Sequence, residues 1–217
     1  MNKSSTQQTR ALRFNYALRS TNYKLVSMYQ KYQTEALVLG SREYGEADKV
    51  FALYTPEFGL VRARAGAVRR EESKMRQALQ NYSRVSVGLV RGKRGWRIAG
   101  ATSLQNARGS ITNVSAFARI CELVQRLVQG EGRNEYLFAA LAEAHTALMT
   151  NDSSASPTIE IVCVARALYA LGYLSTEALQ TTLFAHTTYG GEHLVEAEQL
   201  KDKLLSSINR AIAETQL

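Results

Sequence analysis

Cysteine, histidine, proline and tryptophan are all scarce in this chain of 217 residues, which has two, three, two and one of them respectively. Two cysteines cannot build a disulfide scaffold. With only three histidines beside them, little material is left for a metal centre. No stretch approaches the roughly 20 consecutive apolar residues of a membrane helix. The motifs HExxH, CxxC and GxSxG are missing, and no carboxylate pattern around His145, His186 or His193 suggests a triad or a metal site. Gly88-Leu-Val-Arg-Gly-Lys93 looks briefly like a phosphate loop. It is one residue short, has Arg94 where magnesium needs Ser or Thr, and lies at the end of a strand pattern. These absences point away from turnover chemistry: no enzyme, no cofactor, no metal and no small-molecule substrate are expected. Hydrophobic residues at 45% and charged residues at 21% give an ordinary globular balance, so wholesale disorder is not expected.

What is present in excess is positive charge, and it is unevenly placed. The formal net charge is +8, but residues 1–110 hold 20 Lys and Arg against 7 Asp and Glu, whereas residues 111–217 hold 7 against 12. A basic half joined to a mildly acidic one suggests that one end meets a polyanion, either nucleic acid or an anionic membrane surface. Residues 1–27 are polar and basic, with no apolar core of a secretory signal. Their Arg and Ser content without acid resembles an organelle transit peptide. The simpler expectation is a flexible basic extension over residues 1–30, or an upstream start with Met28 as the true first residue.

From Tyr32 to about Ala107 the hydrophobic period is near two. Strands are expected at Tyr32–Gly40, Lys49–Thr55, Leu60–Gly66, Tyr82–Val90 and Trp96–Thr102, with turns at Phe58-Gly59 and Gly92–Gly95. Alternation puts Arg62 and Arg64 on one face and Val61, Ala63 and Ala65 on the other, and aligns Val85, Val87 and Leu89. Met75 and Leu79, at i and i+4, predict a short helix within Glu71–Asn81. Five strands with a helix between the third and fourth is the layout of an OB-fold, a partly open Greek-key barrel. After Gly109 the period becomes 3.6. Thr112 or Asn113 can cap a helix carrying Phe117, Cys121, Val124 and Val128. Asn134 can cap the next, with Leu137, Leu141, Ala144 and Leu148 on one face. Ser156-Pro157 reads as an N-cap with Pro at the first helical position, in a helix that stops at Gly172. A shorter helix is expected from Ser175, and a last one from Val195 to about Thr215 bearing Leu204, Ile208 and Ala211/Ile212. The expected fold is therefore α+β, with an OB-fold nucleic-acid-binding domain over 31–108 and an all-helical domain over 110–217.

The candidate binding residues are basic: Arg62, Arg64, Arg69, Arg70, Lys74, Arg76, Arg91, Lys93, Arg94 and Arg97, with Arg84 nearby. Such groups can line a groove that tracks a phosphate backbone, while an aromatic ring stacks a base. Trp96, beside Gly95 at a hairpin end, is placed with this group as a stacking surface, with a core position as its alternative; Tyr82 is expected in the core. Cys121 and Cys163 are expected to be buried small hydrophobes. Glu43, Glu46 and Asp48 are the only acidic cluster in the basic half. They read as turn and cap chemistry rather than as a magnesium site. Composition alone leaves an RNA-binding OB-fold protein of translation or RNA maturation as an alternative to a DNA-binding one.

Several segments resemble the bacterial recombination mediator RecO. Thr34-Glu-Ala-Leu-Val-Leu-Gly-Ser-Arg-Glu-Tyr-Gly-Glu-Ala-Asp-Lys49 is similar to its opening strand and Tyr-Gly-Glu-x-Asp turn. Thr55–Val61, Ala65–Arg70 and Ala78-Leu-Gln80 are similar to the elements that follow. Ala167–Tyr173 and Ser207–Ile212 resemble its later helices more loosely. The resemblance implies an OB-fold followed by a helical domain, without enzymatic turnover. It implies a cytoplasmic protein that binds single- and double-stranded DNA and anneals complementary strands in recombinational repair. It also implies that the protein engages the acidic C-terminal tail of single-strand binding protein and, with RecR, helps load RecA. Arg119 and Arg126, seven residues apart on one helix, are candidates for holding that acidic tail in a basic-rimmed apolar pocket. Many members carry a four-cysteine zinc module after the helix that ends like Leu171-Gly-Tyr173. With no cysteine there and only Cys121 and Cys163 in the chain, a zinc site of that type is excluded.

Overall fold

The computed structural model describes residues 30–175 and 181–215. Alternating apolar residues give five strands: β1 (Gln30–Tyr44), β2 (Asp48–Thr55), β3 (Gly59–Ala65), β4 (Arg84–Gly92) and β5 (Gly95–Gln105). They close into a barrel in the order β1-β2-β3-β5-β4, the topology of an OB-fold. Closure depends on the length of β1. Its first half pairs with β4 from Gln30↔Arg91 to Leu37↔Arg84, and its second half pairs with β2 from Leu37↔Tyr54 to Tyr44↔Asp48. A bulge between Val38 and Gly40 bends the strand between its two partners. The parallel seam is short, Ala63↔Trp96 and Arg64↔Arg97.

Residues that alternate inward fill the barrel, among them Val38, Phe51, Leu53, Val61, Ala63, Val85, Val87 and Leu89. The one-turn helix α1 (Lys74–Ala78) is shorter than the expected 71–81, and Leu79 at its end is buried with the barrel residues. Four consecutive residues of β1, Ala36 to Leu39, are buried because the strand is covered on both faces. Ala36 and Val38 point into the barrel, whereas Leu37 and Leu39, with Tyr54 and Leu60, join the core of the helical half.

That half contains α2 (Ile111–Leu127), α3 (Glu135–Thr150), a 3₁₀ turn (Ser153–Ala155), α4 (Ser156–Ala170), α5 (Gly191–Gln199) and α6 (Lys201–Glu214). The apolar faces expected for these helices are buried as expected: Phe117, Cys121 and Val124 on α2, and Leu137, Leu141, Ala144 and Leu148 on α3. Asn134 caps α3, its side chain accepting from the Leu137 N–H at 2.9 Å. Gly172, with φ of 80°, ends α4 in a Schellman turn, in which the Gly172 N–H donates to Tyr169 O and the Tyr173 N–H to Leu168 O.

Three local expectations are corrected. Ser110, not Thr112 or Asn113, caps α2; Asn113 is buried and donates its side-chain amide to Leu148 O and Asn151 O, tying α2 to the end of α3. Ser156 is the first residue of α4 rather than its cap, because the turn before it, capped by Asp152, already runs into the helix. The last expected helix is two helices, parted at Leu200. The helix expected from Ser175 and the extension expected over 1–30 fall almost wholly outside the described residues.

The joint between barrel and helices is made by backbone. Gly132, in the link after α2, donates its N–H to Phe58 O at 3.0 Å, and Glu131 bridges to Gly59. Gly59 has φ of 64°, and a Cβ there would stand 2.2 Å from Gly132 O, so only glycine fits. On the other side of the joint, Gln125 of α2 donates to Leu39 O at 3.2 Å.

Candidate nucleic-acid interface

Register decides which cations share a face. Arg42 lies opposite Val50, Val50 opposite Arg64, and Arg64 opposite Arg97, so these four form one row across β1, β2, β3 and β5. Arg62 stands one repeat further along β3, opposite Ala52. Strands lie about 4.8 Å apart, so Arg64 and Arg97 are direct neighbours. The apolar partners of this alternation are inside the barrel, which forces the arginines outward. All four arginines are exposed. Arg42, Arg62 and Arg97 have no carboxylate partner among the described residues, whereas Arg64 is held by Asp48 at 2.5 Å.

Asp48 is the organising acid of this face. Its carboxylate accepts from the Ala67 N–H at 2.7 Å and from Arg64 Nε at 2.6 Å. These two hydrogen bonds, the backbone one first, hold its pKa below the usual carboxylate range. Glu43 pairs with Arg69 at 3.2 Å. Of the acidic cluster, Asp48 thus has the turn role expected for it, whereas Glu43 is engaged in an ion pair.

Two adjoining hollows extend the basic face. One, of about 410 Å³, lies between the barrel wall and α2 and is lined by Arg42, Arg62, Arg119 and Gln125. The other, of about 580 Å³, is the open mouth of the barrel beside α1 and is lined by Lys49, Arg69 and Arg76. Ser41 and Asn81, hydrogen-bonded to each other at 2.8 Å, line both.

The expected binding residues are therefore only partly gathered. Arg62, Arg64 and Arg97 share the open face, and Arg69 and Arg76 line the mouth next to it. Arg70 is exposed on the segment that leads into α1, and Lys74 is exposed as the first residue of that helix. Lys93 and Arg94 stand at the tip of the β4–β5 hairpin, next to Arg97 in sequence. Arg91 is tied to Glu131 at 3.3 Å, and Arg84 to Glu35 across the β1–β4 seam.

Trp96 requires a correction. It is 5% exposed and sits in the barrel, packed against Tyr32 and Phe58, with its Nε1 donating to Glu131 at 2.8 Å and the Arg91 guanidinium 5.2 Å from its ring. No base can reach its faces. The indole serves the joint, because its partner Glu131 comes from the link after α2. Tyr82 is half-buried against Phe117 on the helical side. Arg119 and Arg126 do not share a pocket: Arg119 lines the hollow beside the barrel and makes a bidentate pair with Glu160 at 2.6 and 2.7 Å, while Arg126 is exposed and does not line it.

Sequence reasoning missed Arg42, Lys49 and Tyr44. The signal was in the chain, since β1 keeps its alternation beyond Gly40. Gly40, Arg42 and Tyr44 lie on the outward face, where Tyr44 is 49% exposed.

Comparison with known proteins agrees with this geometry. Residues 28–105 match the family described as Recombination protein O N terminal. The DNA repair protein RecO of Dehalococcoides mccartyi is 30% identical over 113 residues, which is 51% of this chain and 45% of that protein. That of Pelotomaculum thermopropionicum is 30% identical over 125 residues, 56% of this chain and 49% of that protein. That of Heliobacterium modesticaldum is 34% identical over 99 residues, 44% and 36% respectively. The aligned part thus spans less than half the length of each of these relatives.

Proposed function

We propose that the chain, whose N-terminal barrel matches the RecO family model and whose curated RecO relatives align over about half its length, is a DNA-binding recombination mediator, acting by binding rather than turnover. In this reading residues 31–108 form the nucleic-acid-binding unit and 110–217 the helical unit. The protein binds single- and double-stranded DNA, anneals complementary strands, and helps load recombinase on DNA coated by single-strand binding protein, together with RecR, in the cytoplasm. No helix among the described residues is long and apolar enough to cross a membrane.

The reading is carried by one observation: Arg42, Arg62 and Arg97 stand without carboxylate partners, beside Arg64, on one outward face of an OB-fold barrel. Lys93 and Arg94 at the hairpin between β4 and β5 extend that face, and strand faces with this loop are where OB-folds take up oligonucleotides. Arg69 and Arg76 flank it at the barrel mouth. For the acidic tail of single-strand binding protein, Arg119 and Arg126 remain the candidates. Arg119 would have to exchange Glu160 for the incoming carboxylates, so the tail must compete with an existing bidentate pair.

Fluorescence anisotropy of a labelled single strand at two salt concentrations tests the proposal. Binding is expected at micromolar protein or below, and each phosphate neutralised adds about 0.7 to the slope of log affinity against log salt. Replacing Arg62 and Arg97 together by Glu should abolish binding and lower the melting temperature only a little, because neither makes an ion pair among the described residues and Arg97 acts on Asp48 only through its charge. Arg69 and Arg91 are poorer choices, since each holds an acid and its loss would disturb structure as well. Absence of binding at low salt overturns the proposal, and stronger competition by RNA than by a matched DNA oligomer replaces it with RNA recognition.

A further inference from the structure

Tyr44 is the exposed aromatic ring of the basic face, and its surroundings are built rather than incidental. It sits at the end of β1, opposite Asp48 across the β1–β2 ladder. The Arg64 guanidinium carbon lies 4.6 Å from its ring centroid. Arg64 is fixed in turn by Asp48, which is anchored on the Ala67 N–H. A flat cation, a flat ring and a carboxylate brace are thus set in order before any ligand arrives. With Arg64 over one face and 49% of the residue exposed, the ring keeps an open side. Arg42, two residues earlier on the same outward face, lies in one row with Arg64 and Arg97, so a line of positive charge adjoins the ring.

We propose that Tyr44 and Arg64, braced by Asp48, form a stacking platform for an unpaired base, and that this platform makes the barrel prefer single strands to duplex. The proposal rests on the reading of the barrel as a nucleic-acid-binding module. In a duplex both faces of each base are occupied by stacked neighbours, so only an unpaired base can cover a protein ring. Phosphates are common to both forms, and the surrounding arginines attract either. Selectivity therefore lies in the ring and affinity for charge in its neighbours. Asp48 is a positioning residue: it touches no ligand and sets the plane of Arg64.

The test uses the full chain and two probes, a single strand carrying 2-aminopurine and a duplex of the same sequence. Stacking on Tyr44 quenches the 2-aminopurine emission. Tyr44→Ala should remove the quenching and weaken single-strand binding about tenfold, the weight of one stacked base, with duplex binding and the salt slope unchanged. Tyr44→Phe should restore both signals, because the ring and not the hydroxyl is used. Asp48→Asn should give a partial loss of quenching. If Tyr44→Ala binds and quenches like wild type while the Arg62→Glu/Arg97→Glu variant binds neither probe, the platform is wrong and the DNA-binding reading stands. If Tyr44→Phe fails like Tyr44→Ala, the platform is also wrong. If wild-type protein binds neither probe at low salt, both fall.

Discussion

His145 is fully buried on α3, its ring centroid 5.0 Å from that of Phe117, and neither ring nitrogen makes a well-aligned hydrogen bond. Burial lowers its pKa to about 4; the Tyr82 backbone offsets part of this and the nearby Arg84 charge adds to it. The imidazole is therefore neutral in the folded protein. In the unfolded chain it protonates near the ordinary histidine value of 6.5. Above that pH both states are neutral and nothing differs. As pH falls from 6.5 toward 4 the unfolded chain binds a proton that the folded one refuses, and stability declines. The loss should reach about 2–3 kcal/mol, at about 1.4 kcal/mol per pKa unit. Urea unfolding at pH 7.5 and pH 4.5 should show it in the wild type and a much flatter dependence in His145→Leu. An equal decline in both would show that other groups cause it. The three histidines offer no sequence signal for this, since His145 differs from the others only in facing the barrel–helix boundary. Trp96 was hard to place for a related reason. Its neighbours in sequence mark a hairpin end, while its hydrogen-bond partner Glu131 lies 35 residues away.

At the scale of elements, period alone located the strands and helices, because side chains on one face must be apolar wherever that face is buried. Caps were less legible, since Ser110, Thr112 and Asn113 are all good capping residues and packing against α3 decided among them. Strand register was not legible, and although the alternation of β1 runs on past Gly40, nothing local marks where the strand ends, so Arg42 and Tyr44 do not stand out as face residues. The irregular segment 181–190 is a further case. It is organised by Arg166 of α4, which is fully buried and donates to Leu183 O, Thr187 O and Thr188 O at 2.8, 2.8 and 3.1 Å. Its guanidinium also lies 4.6 Å from the Tyr189 ring centroid. One side chain thus satisfies three carbonyls that have left regular structure. Arg166→Leu should leave them unpaired and cost about 3 kcal/mol, a drop in melting temperature of roughly 10 °C. Hydrogen exchange should localise the loss to residues 181–190. Unchanged protection there would mean that the segment is held by Tyr189 and Phe184 instead.

Across the whole molecule, the charge asymmetry visible in composition becomes spatial. The basic half is the barrel and the acidic half is the helical part, and the two are fastened through Gly59, Gly132 and Glu131. Gly59→Ala should clash with Gly132 O and force a left-handed backbone on a β-carbon, at a cost of about 2 kcal/mol or more. Denaturant unfolding measures this, and a loss under about 0.5 kcal/mol, the range of a neutral surface change, would show that the joint has room to move. Trp96 fluorescence gives a second readout, because its Nε1 bond to Glu131 spans the same joint.

The strand that closes the barrel has a consequence for the chain's tolerance of change. Since β1 serves β4 with one half and β2 with the other, a residue added or removed past the Val38–Gly40 bulge would exchange inside for outside at every later position of the strand. Arg42 and Tyr44 would then be turned toward the barrel mouth, and Ser41 and Glu43 onto the outward face. Insertions can be absorbed at the hairpin tip around Lys93, but the spacing from Gly40 to Tyr44 acts as a fixed gauge, setting the distance and orientation between the protein's folding seam and the surface it offers to a ligand.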